Sequence, residues 1–188
     1  AKTTGDKQGV GFCLGNIGFV YNKTGDYSKA LEYLEEALEV YREIGNKMGA
    51  GRCLNTIGLV YKNLSNYPKA LECFEQSLEI AKTTGDKQGV GFCLGNIGTV
   101  HENLSNYPKA LEYYEQSLEI GREIGDRKTV GAALGNIGSV YENLSNYPNA
   151  LKFFEQSLKI AKEIGDRQGV GVTLGTIGSV YKNLSNYP

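Results

Sequence analysis

The sequence lacks the features that would direct a protein to nucleic acid or to a membrane. Its 188 residues include 20 basic and 21 acidic side chains, so no excess charge favours nucleic acid or an anionic bilayer. No apolar run approaches the roughly 18 residues expected of a membrane span, and no secretory signal is recognisable. We therefore expect neither nucleic acid nor a membrane among the partners of this chain.

Histidine and clustered cysteine are also scarce, which bears on catalysis and metal binding. The four cysteines form no CxxC pair, so neither a zinc site nor a disulfide framework is expected, and free thiols are typical of a reducing compartment. The single histidine, His101, stands in a series otherwise filled by tyrosine and has no catalytic partner at a useful spacing. The sequence therefore predicts a cytoplasmic protein that is not an enzyme, with no catalytic residue, no metal and no cofactor.

What the chain does contain is a 40-residue repeat. One tyrosine recurs at intervals of 40 residues, at Tyr27, Tyr67, Tyr107, Tyr147 and Tyr187, and proline follows it in every copy except the first. Such a period is typical of a solenoid, in which each unit buries its apolar face only by stacking on its neighbours. The repeat therefore favours a binding function, without naming the partner.

Each repeat is predicted to contain two helices. In the first copy, apolar residues recur at helical spacing at Val10, Leu14, Ile17 and Tyr21. A Gly-Asp or Gly-Asn pair ends one helix with a left-handed glycine and begins the next with an N-cap. These N-caps are Asp6, Asn46, Asp86, Asp126 and Asp166. Pro68 falls in the first turn of a second helix, whose N-cap is either Asn66 or Tyr67.

The predicted helices are joined by short links. Links of about four residues make neighbouring helices antiparallel, so each repeat is a helical hairpin. We expect one array over residues 1–188, with hairpins at about 6–45, 46–85, 86–125 and 126–165 and a half repeat at 166–188. Ala1–Thr4 is the expected tail of a preceding helix, because Ala81–Thr84 is the same tetrapeptide in mid-chain.

The apolar and small residues of the repeat resemble the signature of the tetratricopeptide repeat. In the first copy these are Leu14, Ile17, Gly18, Tyr21, Gly25, Tyr27, Ala30, Leu34 and Ala37. The 40-residue period and the Leu-Gly-Asn tripeptides resemble the longer-repeat branch that includes the LGN/Pins and kinesin light chain scaffolds, although Leu54-Asn55-Thr56 departs from the tripeptide. The resemblance implies an all-α, right-handed superhelical solenoid of antiparallel hairpins that serves as a peptide-binding scaffold.

Glycines form a stripe along the first helix, at Gly11, Gly15 and Gly18. Each costs about 1 kcal/mol of helix stability relative to alanine, so the stripe requires a reason. Either adjacent helices approach closely at these positions, or the stripe leaves room for the backbone of a ligand. Gly18 matches the position at which the two helices of a tetratricopeptide hairpin cross most closely.

A second stripe of the first helix varies between copies, whereas the packing faces barely change. In the resembled family the first helices line a concave groove, so this stripe implies a peptide-binding surface. Its candidate residues are Phe12, Asn16, Phe19, Arg52, Thr56, Leu59, Phe92, Asn96, Thr99, Asn136 and Ser139. The asparagines suit this role because an amide can donate to and accept from a peptide backbone. The alternative is a polar surface that holds no ligand.

These observations predict a non-enzymatic scaffold whose concave groove binds a peptide or a helix from another protein. Two alternatives stay open, namely a self-assembling or structural repeat module without a dedicated ligand and a regulatory arm of a larger signalling protein. End-to-end self-association is also expected, because residues 1–18 repeat residues 81–98 without change and both terminal helices carry apolar residues that a neighbour would normally cover.

Overall fold

The computed structural model describes residues 4–185, and this part of the chain folds into nine α-helices without a strand. The helices are α1 (Thr4–Thr24), α2 (Tyr27–Glu43), α3 (Lys47–Asn63), α4 (Tyr67–Thr84), α5 (Lys87–Asn103), α6 (Tyr107–Glu123), α7 (Arg127–Asn143), α8 (Tyr147–Glu163) and α9 (Arg167–Ser185). The predicted all-α class is confirmed. Odd-numbered helices are the first helices of the repeats, and even-numbered helices are the second.

Contacts divide the chain into two units, one ending at Val100 and the other starting at His101. In the first unit α1 packs on α2, α2 on α3 and α3 on α4, while α1 also touches α3. In the second unit α6 packs on α7, α7 on α8 and α8 on α9. Only two or three residues separate consecutive helices, so within each unit a helix runs back along the one before it. Both units are thus built from consecutive helical hairpins.

The links combine a left-handed residue with a side-chain cap, as the sequence predicts. Gly85 ends α4 with a φ of 71°, and the Asp86 carboxylate accepts a hydrogen bond from the Gly89 backbone nitrogen at 2.9 Å. At the start of α4 the N-cap is Asn66, which accepts from the backbone nitrogen of Lys69 at 3.4 Å. The choice between Asn66 and the tyrosine that follows it is therefore settled in favour of the asparagine.

The prediction that Asp6 is an N-cap is wrong. Helix α1 begins at Thr4 and continues through Gly5, so Asp6 lies within its first turn. Within residues 4–185 no helix precedes α1. Gly5 therefore does not have to adopt a left-handed conformation to separate two helices. A carboxylate in the first turn still interacts favourably with the helix dipole. Residues 1–3, the greater part of the predicted helix tail, lie outside the described residues.

Close helix crossing accounts for the most deeply placed glycine of the stripe. A Cβ added to Gly18 would lie 2.6 Å from Leu34 Cγ, and one added to Gly58 would lie 2.6 Å from Phe74 Cε1. Side chains cannot approach this closely, so the hairpin helices cross where only glycine fits. At Gly15 the nearest atom is Cys53 Sγ at 3.8 Å, which leaves ordinary space.

Aromatic stacking explains why a histidine replaces tyrosine in the third copy. The rings of His101 and Tyr113 stack with centroids 5.5 Å apart and planes inclined by 7°. Tyr21 and Tyr33 make the same contact in the first copy, at 5.6 Å and 10°. Histidine therefore fills an aromatic packing position, as the sequence predicts.

Candidate functional site

The predicted binding stripe lies at the surface in both units. Phe12 is 63% exposed and Phe92 is 48% exposed, values that are high for side chains of this size. Exposed as well are Asn16, Phe19 and Arg52, whereas Thr56, Leu59, Asn96, Thr99, Asn136 and Ser139 are half-buried. The stripe is accessible to a ligand, and its role in binding stays a prediction.

A cleft of about 300 Å³ opens in the first unit between α3, α4 and the start of α5, and we call it the α3–α5 cleft. It brings together three of the predicted residues, Arg52, Thr56 and Phe92. Its lining also includes Met48, Gly51 and Asn55 from α3, Ser77, Ile80, Ala81 and Thr84 from α4, and Asp86, Gln88, Gly89 and Cys93. Its volume is at the lower end of the range for ligand pockets, enough for a few side chains.

The α3–α5 cleft exists because a small residue replaces a large one on the second helix. In the first hairpin this position is Tyr41, which is 8% exposed and packs so tightly that a Cβ on Gly49 would lie 2.5 Å from its ring. Forty residues later the position is Ala81, and Gly89 stands where Gly49 stood. The space that the tyrosine ring fills in one repeat is therefore open in the next.

The floor of the cleft is polar and hydrogen-bonded. The Ser77 hydroxyl donates to the Gly51 carbonyl oxygen at 2.8 Å, and the Cys93 thiol donates to Ser77 Oγ at 3.2 Å. Burial raises the pKa of the Cys93 thiol, although the bond to Ser77 acts in the opposite direction. The thiol is therefore a neutral donor near neutral pH rather than a nucleophile.

Two asparagines meet beside the cleft. The Asn96 side-chain nitrogen donates to Asn55 Oδ1 at 2.9 Å and so links α3 to α5. A similar bond runs from Asn63 to Asn22 at 3.0 Å, linking α3 to α1. Asn96 was predicted to face a ligand directly, but one of its donors is already used within the protein. The Nδ2 group of Asn55 makes no hydrogen bond within residues 4–185, and this side chain is half-buried.

Arg52 and Asp86 carry the two formal charges of the cleft lining. The Asp86 carboxylate caps α5 by accepting from the Gly89 nitrogen, at the helix end where negative charge is favoured. Among residues 4–185 the Arg52 guanidinium makes one hydrogen bond, to Met48 Sδ at 3.7 Å, and it has no carboxylate within ion-pair distance. The cleft thus presents one cation that no neighbouring carboxylate neutralises.

Sequence reasoning missed Asn55 and Ala81, although both gave a signal. Asn55 is the one departure from glycine in its series of five repeat positions, and Ala81 stands in a series that reads Ala, Tyr, Ala, Gly, Ala. The exposed stripe was singled out because it varies between copies. The same kind of variation is present at Ala81, which opens the cleft, and at Asn55, which supplies its amide.

The equivalent place in the second unit shares the serine hydrogen bond of the floor but has different walls. The Ser157 hydroxyl donates to the Gly131 carbonyl oxygen at 2.8 Å, as Ser77 does to Gly51. Ala132 and Gly135 replace Arg52 and Asn55, so this repeat offers neither the cation nor the amide.

Burial governs the acidity of two further thiols. Burial raises the pKa of Cys53 to about 11, and burial is also the main cause that raises that of Cys73 to about 11. In the part of the chain that the structure describes, no group of three or more His, Cys, Asp or Glu side chains is placed to hold a metal ion. Within the same residues, no helix is both long and apolar enough to cross a bilayer.

Comparison with known proteins identifies the family. The profile of the tetratricopeptide repeat matches residues 12–83, 54–123 and 129–188, which together make up most of the sequence. The chain belongs to the tetratricopeptide-repeat family. This confirms the resemblance drawn from the repeat. Curated protein sequences include no match to this tetratricopeptide-repeat chain.

Several solved structures share the tetratricopeptide-repeat fold of this chain. Aspartyl phosphate phosphatase F from Bacillus subtilis superposes with a TM-score of 0.82 at 17% identity, over 98% of this chain and 51% of its own. A Rap protein complexed with Competence and Sporulation Factor gives 0.82 at 18% identity, over 93% of this chain and 49% of its own. The apo form of RapI gives 0.74 at 25% identity, over 83% and 57%. The chain thus spans about half the length of these relatives. At 17% and 18% identity, the first two structures support a shared fold and no shared function.

Proposed function

We propose that the chain is a non-enzymatic protein-interaction scaffold that binds an extended peptide or a helix on its first helices. The observation that carries this proposal is the coincidence of the α3–α5 cleft with residues that vary between otherwise similar repeats. Side chains that only packed the fold would not need to vary, and exposed phenylalanines such as Phe12 and Phe92 are typical of interaction surfaces. The solved complex of a Rap protein with Competence and Sporulation Factor gives a precedent for a bound partner on this fold.

The proposal that the scaffold is not an enzyme rests on its ionisable groups. The thiols of Cys53, Cys73 and Cys93 have raised pKa values, so they are poor nucleophiles near neutral pH. His101 is occupied in a stack with Tyr113. Free thiols also support a reducing compartment such as the cytoplasm.

Selection from a displayed peptide library against the whole chain tests the binding function. We expect peptides with micromolar affinity whose binding weakens roughly tenfold in Phe92→Ala, because an exposed aromatic at the cleft rim supplies much of the contact. The matched control is Glu75→Ala, which changes an exposed residue of α4 that does not line the cleft. Failure to select any peptide would count against the scaffold, and equal binding by the Phe92→Ala and parent proteins would place the site elsewhere.

We further propose self-association as a second function of this polypeptide. Ile17 is 40% exposed on α1, whereas Ile97, in the identical stretch of α5, is 1% exposed. The same apolar surface is therefore covered by neighbours in mid-chain and uncovered at α1. A second copy of the chain offers apolar surface of the same kind at α9, where Val172 and Leu174 are exposed.

A further inference from the structure

We propose that the α3–α5 cleft selects an acidic side chain of the bound peptide together with an aliphatic side chain beside it. This inference rests on the proposed function and names the chemistry of the partner. The occupant is an extended peptide segment that carries aspartate or glutamate next to leucine, isoleucine, valine or methionine. Three features support this inference: the charge of Arg52, the unused amide nitrogen of Asn55 and the apolar part of the cleft wall.

The unpaired positive charge of Arg52 favours a negative partner. Arg52 lies on the exposed side of α3 and lines the cleft, where the one hydrogen bond of its guanidinium among residues 4–185 is the weak one to Met48 Sδ. The five N–H donors of arginine match a carboxylate in geometry as well as in charge. Asp86, the cleft's other formal charge, caps α5 and makes no ion pair with the guanidinium among residues 4–185. A peptide carboxylate would therefore complete the hydrogen bonding of Arg52.

Asn55 provides a second donor on the same side of α3. It follows Arg52 by three residues, so the two side chains are neighbours on the helix surface. Its oxygen already accepts from Asn96, which fixes the amide orientation and leaves its Nδ2 group as the donor that a ligand can use. Carboxylate and carbonyl oxygens are the acceptors that fit this donor. An arginine and an amide three residues apart thus form one acceptor-binding pair.

Part of the cleft wall is apolar and suits an aliphatic side chain. Ile80 and Ala81 form its wall on α4, and Phe92 forms its edge on α5. The volume of about 300 Å³ accommodates a side chain of leucine size beside the acidic group. Ala81 is essential to this space because Tyr41 fills it in the preceding hairpin.

These features coincide in the second repeat alone. The position of Arg52 is Phe12, Phe92, Ala132 or Val172 elsewhere, and that of Asn55 is glycine in every other copy. The two residues that distinguish the second repeat therefore both line the α3–α5 cleft, and both add hydrogen-bond donors to it. A repeat that served only for stacking would have no use for this pair.

A positional-scanning library of acetylated and amidated nonapeptides, bound to the whole chain, tests this specificity. Pools with aspartate or glutamate fixed beside an aliphatic residue should bind about tenfold better than pools with asparagine or glutamine there, because hydrogen bonds to a charged partner are the stronger ones. The preference should decline as salt is raised, since both charges are close to solvent. In Arg52→Ala the acidic and amide pools should bind equally.

Two further variants test the role of the Arg52 charge separately from the role of the open space beside Ala81. Lys47→Ala removes a cation from the same helix outside the cleft, and it should keep the acidic preference. Ala81→Tyr should close the cleft and abolish binding of the aliphatic side chain, because Gly51 and Gly89 offer the surroundings that Gly11 and Gly49 give to Tyr41. Circular dichroism on each variant verifies that it is folded, and Arg52→Ala alone decides the proposal if Ala81→Tyr does not fold.

The outcomes distinguish this inference from the function on which it rests. Peptides that bind without an acidic preference, or whose preference survives in Arg52→Ala, would overturn the inference and leave the scaffold intact. Binding that requires a free carboxyl terminus instead of an acidic side chain would overturn it as well. If no pool binds, the inference and the binding of extended peptides are both refuted.

Discussion

Replacing Gly58 by alanine should destabilise the protein, although alanine is much the better helix former. Gly58 lies in the middle of α3, where α3 crosses α4. A Cβ on Gly58 would lie 2.6 Å from Phe74 Cε1 and 2.7 Å from Phe74 Cδ1, which is closer than carbon atoms approach in folded proteins. Phe74 is 0% exposed, so its ring has no free space into which it can move. The added methyl group must therefore push the helices apart or strain the ring.

Two opposing contributions set the size of this effect. Alanine in place of glycine stabilises the interior of a helix by about 1 kcal/mol. Forcing an extra carbon into a well-packed core costs about 1–3 kcal/mol. We therefore expect the free energy of unfolding to fall by up to about 2 kcal/mol.

Gly178 provides the matched control because it holds the same repeat position in α9. It is exposed, and nothing lies within 4 Å of the Cβ that alanine would add. Gly178→Ala should therefore stabilise α9 by about 1 kcal/mol. Urea unfolding followed by circular dichroism reports the global change, and hydrogen exchange of the α9 amides reports the local one. A gain in stability for Gly58→Ala, and hence the same sign of change as for Gly178→Ala, would refute the reasoning.

Four further outcomes are expected. Ser77→Ala should lower stability by about 1 kcal/mol or more, because the buried carbonyl oxygen of Gly51 loses its side-chain donor, and a thermal melt with unchanged Tm would contradict this. Exposed Cys13 should react first with a thiol reagent at pH 8. Cys53 and Cys73 should react more slowly, because burial raises their pKa values and so keeps them in the unreactive thiol form. Equal rates would show that these two thiols are accessible. Because the folded-state pKa of Cys53 is about 11 against 9.0 for a free thiol, its contribution to stability is complete below pH 9 and is lost as the pH rises toward 11. Sedimentation should show association that increases with concentration, and a strict monomer at about 100 µM would refute the self-association proposed for α1 and α9.

The links between helices could be predicted from sequence because their chemistry is local. A glycine with positive φ and a side chain that bonds to a backbone nitrogen three residues ahead involve only neighbours in the chain, as at Gly85 and Asp86. The error at Asp6 shows the limit of this reasoning. The same Gly-Asp pair ends one helix and begins another in mid-chain, whereas in α1 it continues a single helix.

Burial and empty space could not be predicted in this way because they depend on residues distant in sequence. Ile17 and Ile97 lie in identical stretches of 18 residues, yet they differ from 40% to 1% in exposure. The α3–α5 cleft depends likewise on a ring that Ala81 does not carry, and on two glycines in different helices. Periodicity assigns a residue to a face, but only the assembled helices show whether that face is filled.

The bond between Asn96 and Asn55 has a consequence for how such a gene can change. When the sequence is divided into 40-residue intervals from residue 1, Asn96 is the sixteenth residue of its interval and Asn55 is the fifteenth residue of the interval before it. Asparagine occupies the fifteenth position only at Asn55. Recombination between near-identical repeats could delete or duplicate one copy without disturbing the reading frame or the hairpin. A duplicated second repeat, however, would set Asn55 against a threonine, the equivalent of Thr56, and the amide pair would be lost at that junction. The copies are therefore similar enough to be exchanged by the genetic machinery, yet the order in which they follow one another carries information that selection can maintain.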